Sequence, residues 1–298
     1  MRLTQSDPFA GLEEIVAERV PLKPLTWYKI GGPARYLIRP RSNEELAEAA
    51  RRCVENDIRI YVLGLGANLL VDDAGVDGAV FRLDHEFFRR VKFDKTRVEV
   101  GAGVDMQKLL LRAVRQGLAG IECLAGIPGT VGGGVRMNAG GKFGDFGGVI
   151  ASVTVMDAEG NVIERQRDDL VFDYRRTNIV APFICSAVLE LDEDDPDRIM
   201  RKTKEIWMYK RNSQPLNTKN AGCIFKNPRG VSAGALIDQA GLKGMRVGGA
   251  AVSEKHANFI VAHPGCTSDD VTKLIKIIHD KVAERSEIEL ESEVKIWP

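Results

Sequence analysis

The stretch AGCIFKNP, residues 221 to 228, sets one thiol between a glycine and an apolar pair, with Lys226 and Asn227 just behind. A cysteine in such a place serves as a reactive group, as a metal ligand, or as a small buried hydrophobe. The chain has five cysteines, at 53, 123, 185, 223 and 266, widely spaced, with no C-x-x-C pair and no Cys/His cluster. Neither a disulfide framework nor a zinc site follows from that pattern, so no metal is expected. A reactive group and core filler remain open for Cys223.

The densest chemical signal is GIECLAGIPGTVGGGVRMNAGGKFGDFGG, residues 120 to 148. Backbone this bare of side chains can approach a ligand closely and aim several N–H groups at an anion. On spacing alone a glycine-rich surface loop explains it equally well. Two further glycine turns, KIGGPA at 29 to 34 and GLGANLLVDD at 64 to 73, shift the balance, although neither is a Walker A or a G-x-G-x-x-G opening a helix. Several loops wrapping a long phosphorylated ligand are therefore expected.

These loops need a scaffold. ARYLI at 34 to 38 reads as a strand, and Ser42 with Glu45 as a capping box ahead of Leu46, Ala49, Ala50, Cys53 and Val54 at helical spacing, which makes Cys53 core. IRIYVLGLG completes a strand–helix–strand unit with glycines at the strand end. Residues 78 to 83 and 97 to 101 read as strands, DMQKLLLRAVRQG as a helix ending at Gly117, and VIASVTVMD with NVIER as a hairpin around Glu159 and Gly160. After FICSAVLEL, Asp195 and Pro196 form a helix start, and a domain boundary is placed there. Further on come a helix over SAGALIDQAG, a strand at NFIVA, and a helix from Thr267 with Val271, Leu274, Ile275, Ile278 and Val282 on one face. EIELESEVKI alternates as a final strand, with Ile288, Leu290, Val294 and Ile296 on one side and glutamates on the other.

At 298 residues the chain suits two or three packed units. With 42 acidic and 42 basic residues its formal net charge is zero, so no global field favours nucleic acid or an anionic membrane. The N-terminal MRLTQSDPFAGLEEIVAERV lacks an apolar leader core, and no run of 18 apolar residues occurs. A soluble, cytoplasmic protein with small-molecule chemistry is expected.

Seven blocks in order, TWYKIGGPA, GLGANLLVDD, GIPGTVGGGVRMNAGG, DYRRTN, GCIFKNP, GLKGMRVGGAAVSEKHANFIV and LESEV, resemble the UDP-N-acetylenolpyruvoylglucosamine reductase family from about residue 20 onward. The resemblance implies a mixed α+β and α/β chain: an FAD-binding fold of the vanillyl-alcohol oxidase type in two subdomains, 1–84 and 85–194, then a UDP-sugar-binding α/β domain at 195–298. It implies noncovalent FAD, NADPH as co-substrate, and reduction of UDP-N-acetylglucosamine enolpyruvate to UDP-N-acetylmuramate in peptidoglycan synthesis. Hydride would pass from the flavin to C3 of the enolpyruvyl group and a proton to C2.

Carried over residue by residue, the FAD contacts fall on Tyr28, on Gly64, Gly66, Ala67, Asn68 and Leu69, and on Gly126, Ile127, Pro128, Gly129, Gly132, Gly133, Asn138, Ala139 and Gly140. The catalytic positions fall on Arg175, Cys223 and Glu293. Arg175 would bind the enolpyruvyl carboxylate bidentately, with Arg176 beside it as the alternative register. Glu293 would assist protonation, and crowding with Glu289 and Glu291 would raise the pKa of the least hydrated of the three. Cys223 stands where better-known members carry the serine that protonates C2. A thiol is a competent acid, and Lys219 and Lys226 close in sequence would lower its pKa. Substrate contacts fall on Tyr174, Gln214, Lys226, Asn227 and His256, although a lone histidine is as often structural.

The chain departs from the family pattern at Ala67, where a serine is usual, at Gly134, where alanine is common, and at Ala262, where asparagine is common. One strand and one helix fill the stretch between Arg175 and Arg211, which leaves no space for an inserted tyrosine-bearing loop and matches the shorter, second branch.

Overall fold

The Ser42 hydroxyl accepts the Glu45 N–H at 3.3 Å and starts α1 (Asn43–Glu55) in the computed structural model, which describes residues 7–298. Residues 1–6, the start of the stretch read above as lacking a leader core, lie outside the described residues. The reciprocal half of the expected capping box is not made. The Glu45 carboxylate instead accepts the Arg41 N–H at 2.7 Å and the Arg41 guanidinium at 2.9 Å, a charge-assisted bond that the Ser42 N–H cannot match. Leu46, Ala49, Ala50 and Cys53 are buried as the spacing predicts, whereas Val54, read as part of the same face, is exposed near the helix end, and burial pushes the Cys53 thiol up to about 12.

The described residues cluster into two units. The first runs through Val20, then Ala34–Gly64 and Asp77–Trp207. It contains a four-stranded sheet in the order Val16–Pro21, Pro33–Ile38, Val76–Phe81, Ile60–Val62, whose last two strands are parallel, and α1 connects Pro33–Ile38 to Ile60–Val62. Its second sheet is antiparallel and five-stranded, in the order Val162–Gln166, Ile150–Met156, Phe183–Glu190, Arg97–Gly101, Val91–Asp94. Helix α2 (Met106–Arg115) starts at Asp105, whose carboxylate accepts the Gln107 N–H at 2.8 Å and the Lys108 N–H at 3.1 Å. It lays Leu109, Leu110, Ala113 and Val114 into an apolar core shared with Ile38, Phe81, Val98 and Phe183. The glycine-rich segment carries a short helix, α3 (Val131–Arg136), and Asp195 caps α4 (Pro196–Ser213) through the Arg198 N–H at 2.9 Å.

The second unit comprises Pro21–Pro33, Leu65–Val76 and Met208–Pro298. A three-stranded antiparallel sheet (Arg246–Val247, Ala250–Val252, Ile260–Ala262) lies with α5 (Ala233–Gln239) and α6 (Ser268–Ser286). Thr267 and Asp270 form a full capping box on α6, with both bonds at 3.1 Å. Val271, Leu274, Ile278 and Val282 are buried as the spacing predicts, while Ile275 is only half-buried. The expected final strand over 287 to 296 is not continuous. Residues 291–294 hydrogen-bond to 224–226, and only Lys295–Trp297 is regular strand, parallel to Leu69–Val71. Because the chain changes partner there, its alternation breaks, and Ile296 is 46% exposed.

The departure at Gly134 has a steric reason. A Cβ there would clash with Met106 Sδ and lie 3.1 Å from Phe146 Cδ1. Gly134→Ala should therefore cost about 1–3 kcal/mol in urea unfolding, with part of the loss recovered by adding Met106→Val, which vacates the contested space.

Candidate functional site

Tyr174 and Arg175 form the turn of a hairpin in the first unit, between Phe172–Asp173 and Arg176–Thr177. Arg175 sits at φ 57°, where glycine or asparagine is the usual occupant of a turn. Its guanidinium lies 5.2 Å from the Tyr174 ring centroid, and Tyr174 is 44% exposed. Arg176 Nε donates to Asp173 Oδ2 at 2.9 Å. Of the two adjacent arginines, then, Arg176 is neutralised within the hairpin, while Arg175 is held in a strained backbone state of the kind that clusters at functional sites.

In the same unit the helix-start donors of the glycine segment are used internally. The N–H groups of Val131, Gly132 and Gly134 go to Val104 O, Ala102 O and Thr130 O, and that of Gly133 to Thr130 Oγ1 at 3.3 Å. Gly126 donates to Gln107 Oε1 at 3.1 Å and Ile127 to Leu124 O at 2.9 Å. What the glycines provide here is close approach: a Cβ on Gly64 would stand 2.7 Å from Thr130 Oγ1. Gly126, Ile127, Pro128, Gly129 and Gly132 are half-buried and Gly133 is exposed, whereas Asn138, Ala139 and Gly140 are buried. Asn138 accepts the Gly147 N–H at 2.9 Å and donates to Asp173 O at 3.1 Å.

In the second unit the loop 65–68 behaves differently. Gly66, at φ 64°, is pressed against Leu25, and its carbonyl accepts the Trp27 N–H at 3.0 Å. Among the described residues, none of the N–H groups of residues 65 to 68 enters a backbone hydrogen bond. Leu65, Ala67 and Asn68 are half-buried. Consecutive uncommitted N–H groups in a tight loop form an anion-binding concavity, so these residues fit the diphosphate of FAD. Ala67 offers only its N–H, without the usual serine hydroxyl. Leu69 is buried in the strand that follows. Tyr28 packs in the core of this unit, where its hydroxyl is enclosed without a hydrogen-bond partner among the described residues and burial raises its pKa well above the ordinary phenol value.

Cys223 is half-buried in an irregular segment whose backbone is held on both edges. On one side, Ile224 N–H donates to Asn258 O at 2.9 Å and Phe225 N–H to Asn258 Oδ1 at 2.9 Å, and Asn258 Nδ2 donates to Phe225 O at 2.7 Å. On the other, Glu293 N–H donates to Ile224 O and Lys226 N–H to Glu291 O, both at 2.8 Å. Cys223 and Glu293 are thus brought onto adjoining backbone segments. The Glu293 carbonyl also accepts Asn68 Nδ2 at 3.2 Å.

The expected effect of Lys226 on the thiol needs correction. Lys226 Nζ lies 2.5 Å from Glu291 Oε1, so its charge is matched by the very carboxylate that was read as part of a solvated, mutually repelling face. Lys219 is exposed, and its carbonyl accepts the Ala262 N–H at 2.8 Å. Asn227 Oδ1 accepts the Ala233 N–H at 3.0 Å, at the start of α5. Gln214 lines a cleft of about 810 Å³ with Arg211, Arg246, Lys255, His263 and the counter-charged Glu254. His256 Nδ1 accepts the Asn258 N–H at 3.3 Å, so it supports the Asn258 clamp, and burial holds its pKa below the ordinary value, with Lys243 adding to the effect.

Asn258 and Asn220 went unnoticed in the sequence. Asn220 Oδ1 accepts the Gly222 N–H at 2.9 Å, and its amide bonds Pro215 O and Thr218 O. The available signal was a polar residue inside an otherwise apolar run, as in HANFIVA.

Residues 214–297 match the family model described as UDP-N-acetylenolpyruvoylglucosamine reductase, C-terminal domain, and residues 34–165 match an FAD binding domain. The chain is 43% identical over 279 residues to UDP-N-acetylenolpyruvoylglucosamine reductase 2 of Symbiobacterium thermophilum, covering 93% of this chain and 90% of that one. It is 39% identical to the reductase of Moorella thermoacetica, covering 96% and 95%. The crystal structure of the reductase from Thermus caldophilus superposes with a TM-score of 0.83 at 39% identity, covering 94% of this chain and 98% of that one.

Two stability measurements test this geometry. Arg175→Asn relieves the left-handed backbone and should hold or raise thermal stability by up to about 1 kcal/mol. The stability carried by neutral His256 is complete above the unfolded-state pKa of about 6.5 and is lost as pH falls through the lower folded value. Urea titrations between about pH 7 and pH 5 should therefore show a smaller acid loss in His256→Asn, which keeps an acceptor for the Asn258 N–H, than in the parent.

Proposed function

The chain belongs to the UDP-N-acetylenolpyruvoylglucosamine reductase family, FAD-dependent oxidoreductases of peptidoglycan synthesis, and from that premise we propose how its own residues divide the work. FAD, when bound, supplies the hydride that reaches C3 of the enolpyruvyl group, after taking it from NADPH. The N–H groups of residues 65–68 would hold its diphosphate, and Gly64, Gly126, Ile127, Pro128, Gly129, Gly132 and Gly133 would offer it bare backbone. The N-terminal subdomains 1–84 and 85–194 serve the cofactor and 195–298 the UDP-sugar, an assignment supported by the family-model matches at 34–165 and 214–297. We extend the reading to a cytoplasmic monomer. No helix among the described residues is long and apolar enough to cross a membrane.

Hydride addition at C3 leaves negative charge at C2 and on the adjoining carboxylate. The permanently charged guanidinium of Arg175 binds that carboxylate and stabilises the charge. Tyr174, under the guanidinium, borders the same group. Cys223 S–H gives the proton to C2, which completes the lactyl ether, and the Glu293 carboxyl assists that transfer. Gln214 and its cationic cleft suit the substrate diphosphate, with Lys226, Asn227 and His256 contributing to sugar and phosphate recognition.

The observation that carries this reading is the hydrogen bond from Glu293 N–H to Ile224 O, which aligns the carboxylate residue with the thiol residue on neighbouring segments. Single-turnover reoxidation of the reduced flavin by the enolpyruvyl sugar tests it. Cys223→Ser should keep the rate within about tenfold, and Cys223→Ala should lose about 10²–10⁴-fold, the usual worth of a general acid. In Cys223→Ser the alkaline limb should move to higher pH, because an alkyl hydroxyl does not ionise there. A Cys223→Ala variant reoxidised at the parent rate would sink the assignment.

A further inference from the structure

Asn138 ends α3 in a Schellman motif: its own N–H bonds Val135 O at 3.1 Å, and the Ala139 N–H bonds Gly134 O at 2.8 Å. Its φ of 43° is one that glycine would satisfy without cost. The position nevertheless carries an amide, only 2% exposed, with both ends used. Oδ1 accepts the Gly147 N–H at 2.9 Å, and Nδ2 donates to the carbonyl of Asp173 at 3.1 Å. Asp173 is the residue before the Tyr174–Arg175 turn, and its carboxylate in turn accepts the Tyr174 N–H at 2.7 Å and Arg176 Nε at 2.9 Å.

A second tie runs from the same helix end. The guanidinium of half-buried Arg136 donates to Ile179 O and Ala181 O, both at 2.5 Å, and to Pro182 O at 3.0 Å. Phe172 meanwhile lies over Gly147, where any Cβ would strike its ring. The hairpin is thus suspended from the end of α3 at both of its flanks, and the left-handed Arg175 lies between the two anchors. A strained residue persists only where its surroundings over-determine it, and the Asn138–Asp173 bond is the anchor nearest the turn.

We infer that Asn138 is a positioning residue for Arg175: its amide fixes the Asp173 carbonyl, and through it the turn that aims the guanidinium. The inference rests on the reading of Arg175 as the carboxylate-binding group. It differs from the role that the family motif suggests for Asn138, direct contact with FAD, because the amide already bonds two protein groups.

The test uses the flavin-loaded full chain with Asn138→Gly, which keeps the left-handed backbone and deletes only the amide. It adds Asn138→Asp, which keeps the acceptor for Gly147 and loses the donor to Asp173, together with Arg175→Lys and the double variant Asn138→Gly/Arg175→Lys. Both Asn138 variants should retain bound flavin and a cooperative melt, exchange the amide hydrogens of residues 174–177 faster, and lose about 10- to 100-fold in kcat with the enolpyruvyl sugar, the scale of a misplacement near 1 Å. The double variant should be no slower than Arg175→Lys alone. Parent-like kcat and exchange in Asn138→Gly and Asn138→Asp while Arg175→Lys is impaired, or a double variant slowed by the product of the two single effects, overturns the inference. An unimpaired Arg175→Lys overturns the reading of Arg175 itself.

Discussion

An asparagine amide standing in for a strand neighbour is the interaction on which the C-terminal chemistry depends. Residues 223–226 carry the thiol and Lys226, yet belong to no sheet. Asn258, 2% exposed, supplies two acceptors and a donor to the backbone at Ile224 and Phe225, and residues 291–294 close the other edge. A buried backbone group left without a partner costs about 1–3 kcal/mol, so replacing that one side chain would leave the N–H and the carbonyl of Phe225 unpaired two residues from Cys223. His256 in turn accepts the Asn258 N–H, which gives a physical reason for a histidine at this position.

The same solution recurs wherever reactive residues leave regular structure. Asn68 reaches the Glu293 carbonyl from the loop whose N–H groups suit a diphosphate, and Asn138 reaches the Asp173 carbonyl at the foot of the Arg175 turn. An amide both donates and accepts in one plane, so it can replace a strand partner where a hydroxyl or a carboxylate cannot. Glycines do the complementary work. At Gly64 and Gly134 a methyl group would meet Thr130 Oγ1 and Met106 Sδ, so the bare backbone lies directly against those side chains.

Charge is handled locally in a chain of zero formal net charge. Lys226 is matched by Glu291 and Arg176 by Asp173, and the exposed ammonium of Lys202 reaches down to the buried carboxylate of Glu122 at 2.9 Å. Pairing of this kind distinguishes neighbours that look equivalent in sequence. Of two consecutive arginines, one is tied to its own hairpin while the other stacks on a tyrosine in a strained turn.

Much of the scaffold was legible in the sequence because it rests on local rules. Ser42, Asp105, Asp195 and Thr267 cap helices where their side chains predict, and the apolar spacing of α1 and α6 identifies their buried faces. The glycine loops and the motifs around Arg175, Cys223 and Glu293 were equally readable, since residue type and order are properties of the chain alone. What the tertiary structure decided were the pairings between distant segments. It decided that the last residues switch partners and so lose their alternation, that Glu45 prefers Arg41, that Lys226 meets Glu291, and that three asparagines hold the backbone beside the three proposed catalytic residues. Such outcomes depend on which polar groups burial brings within about 3 Å of each other, and no local pattern encodes that distance.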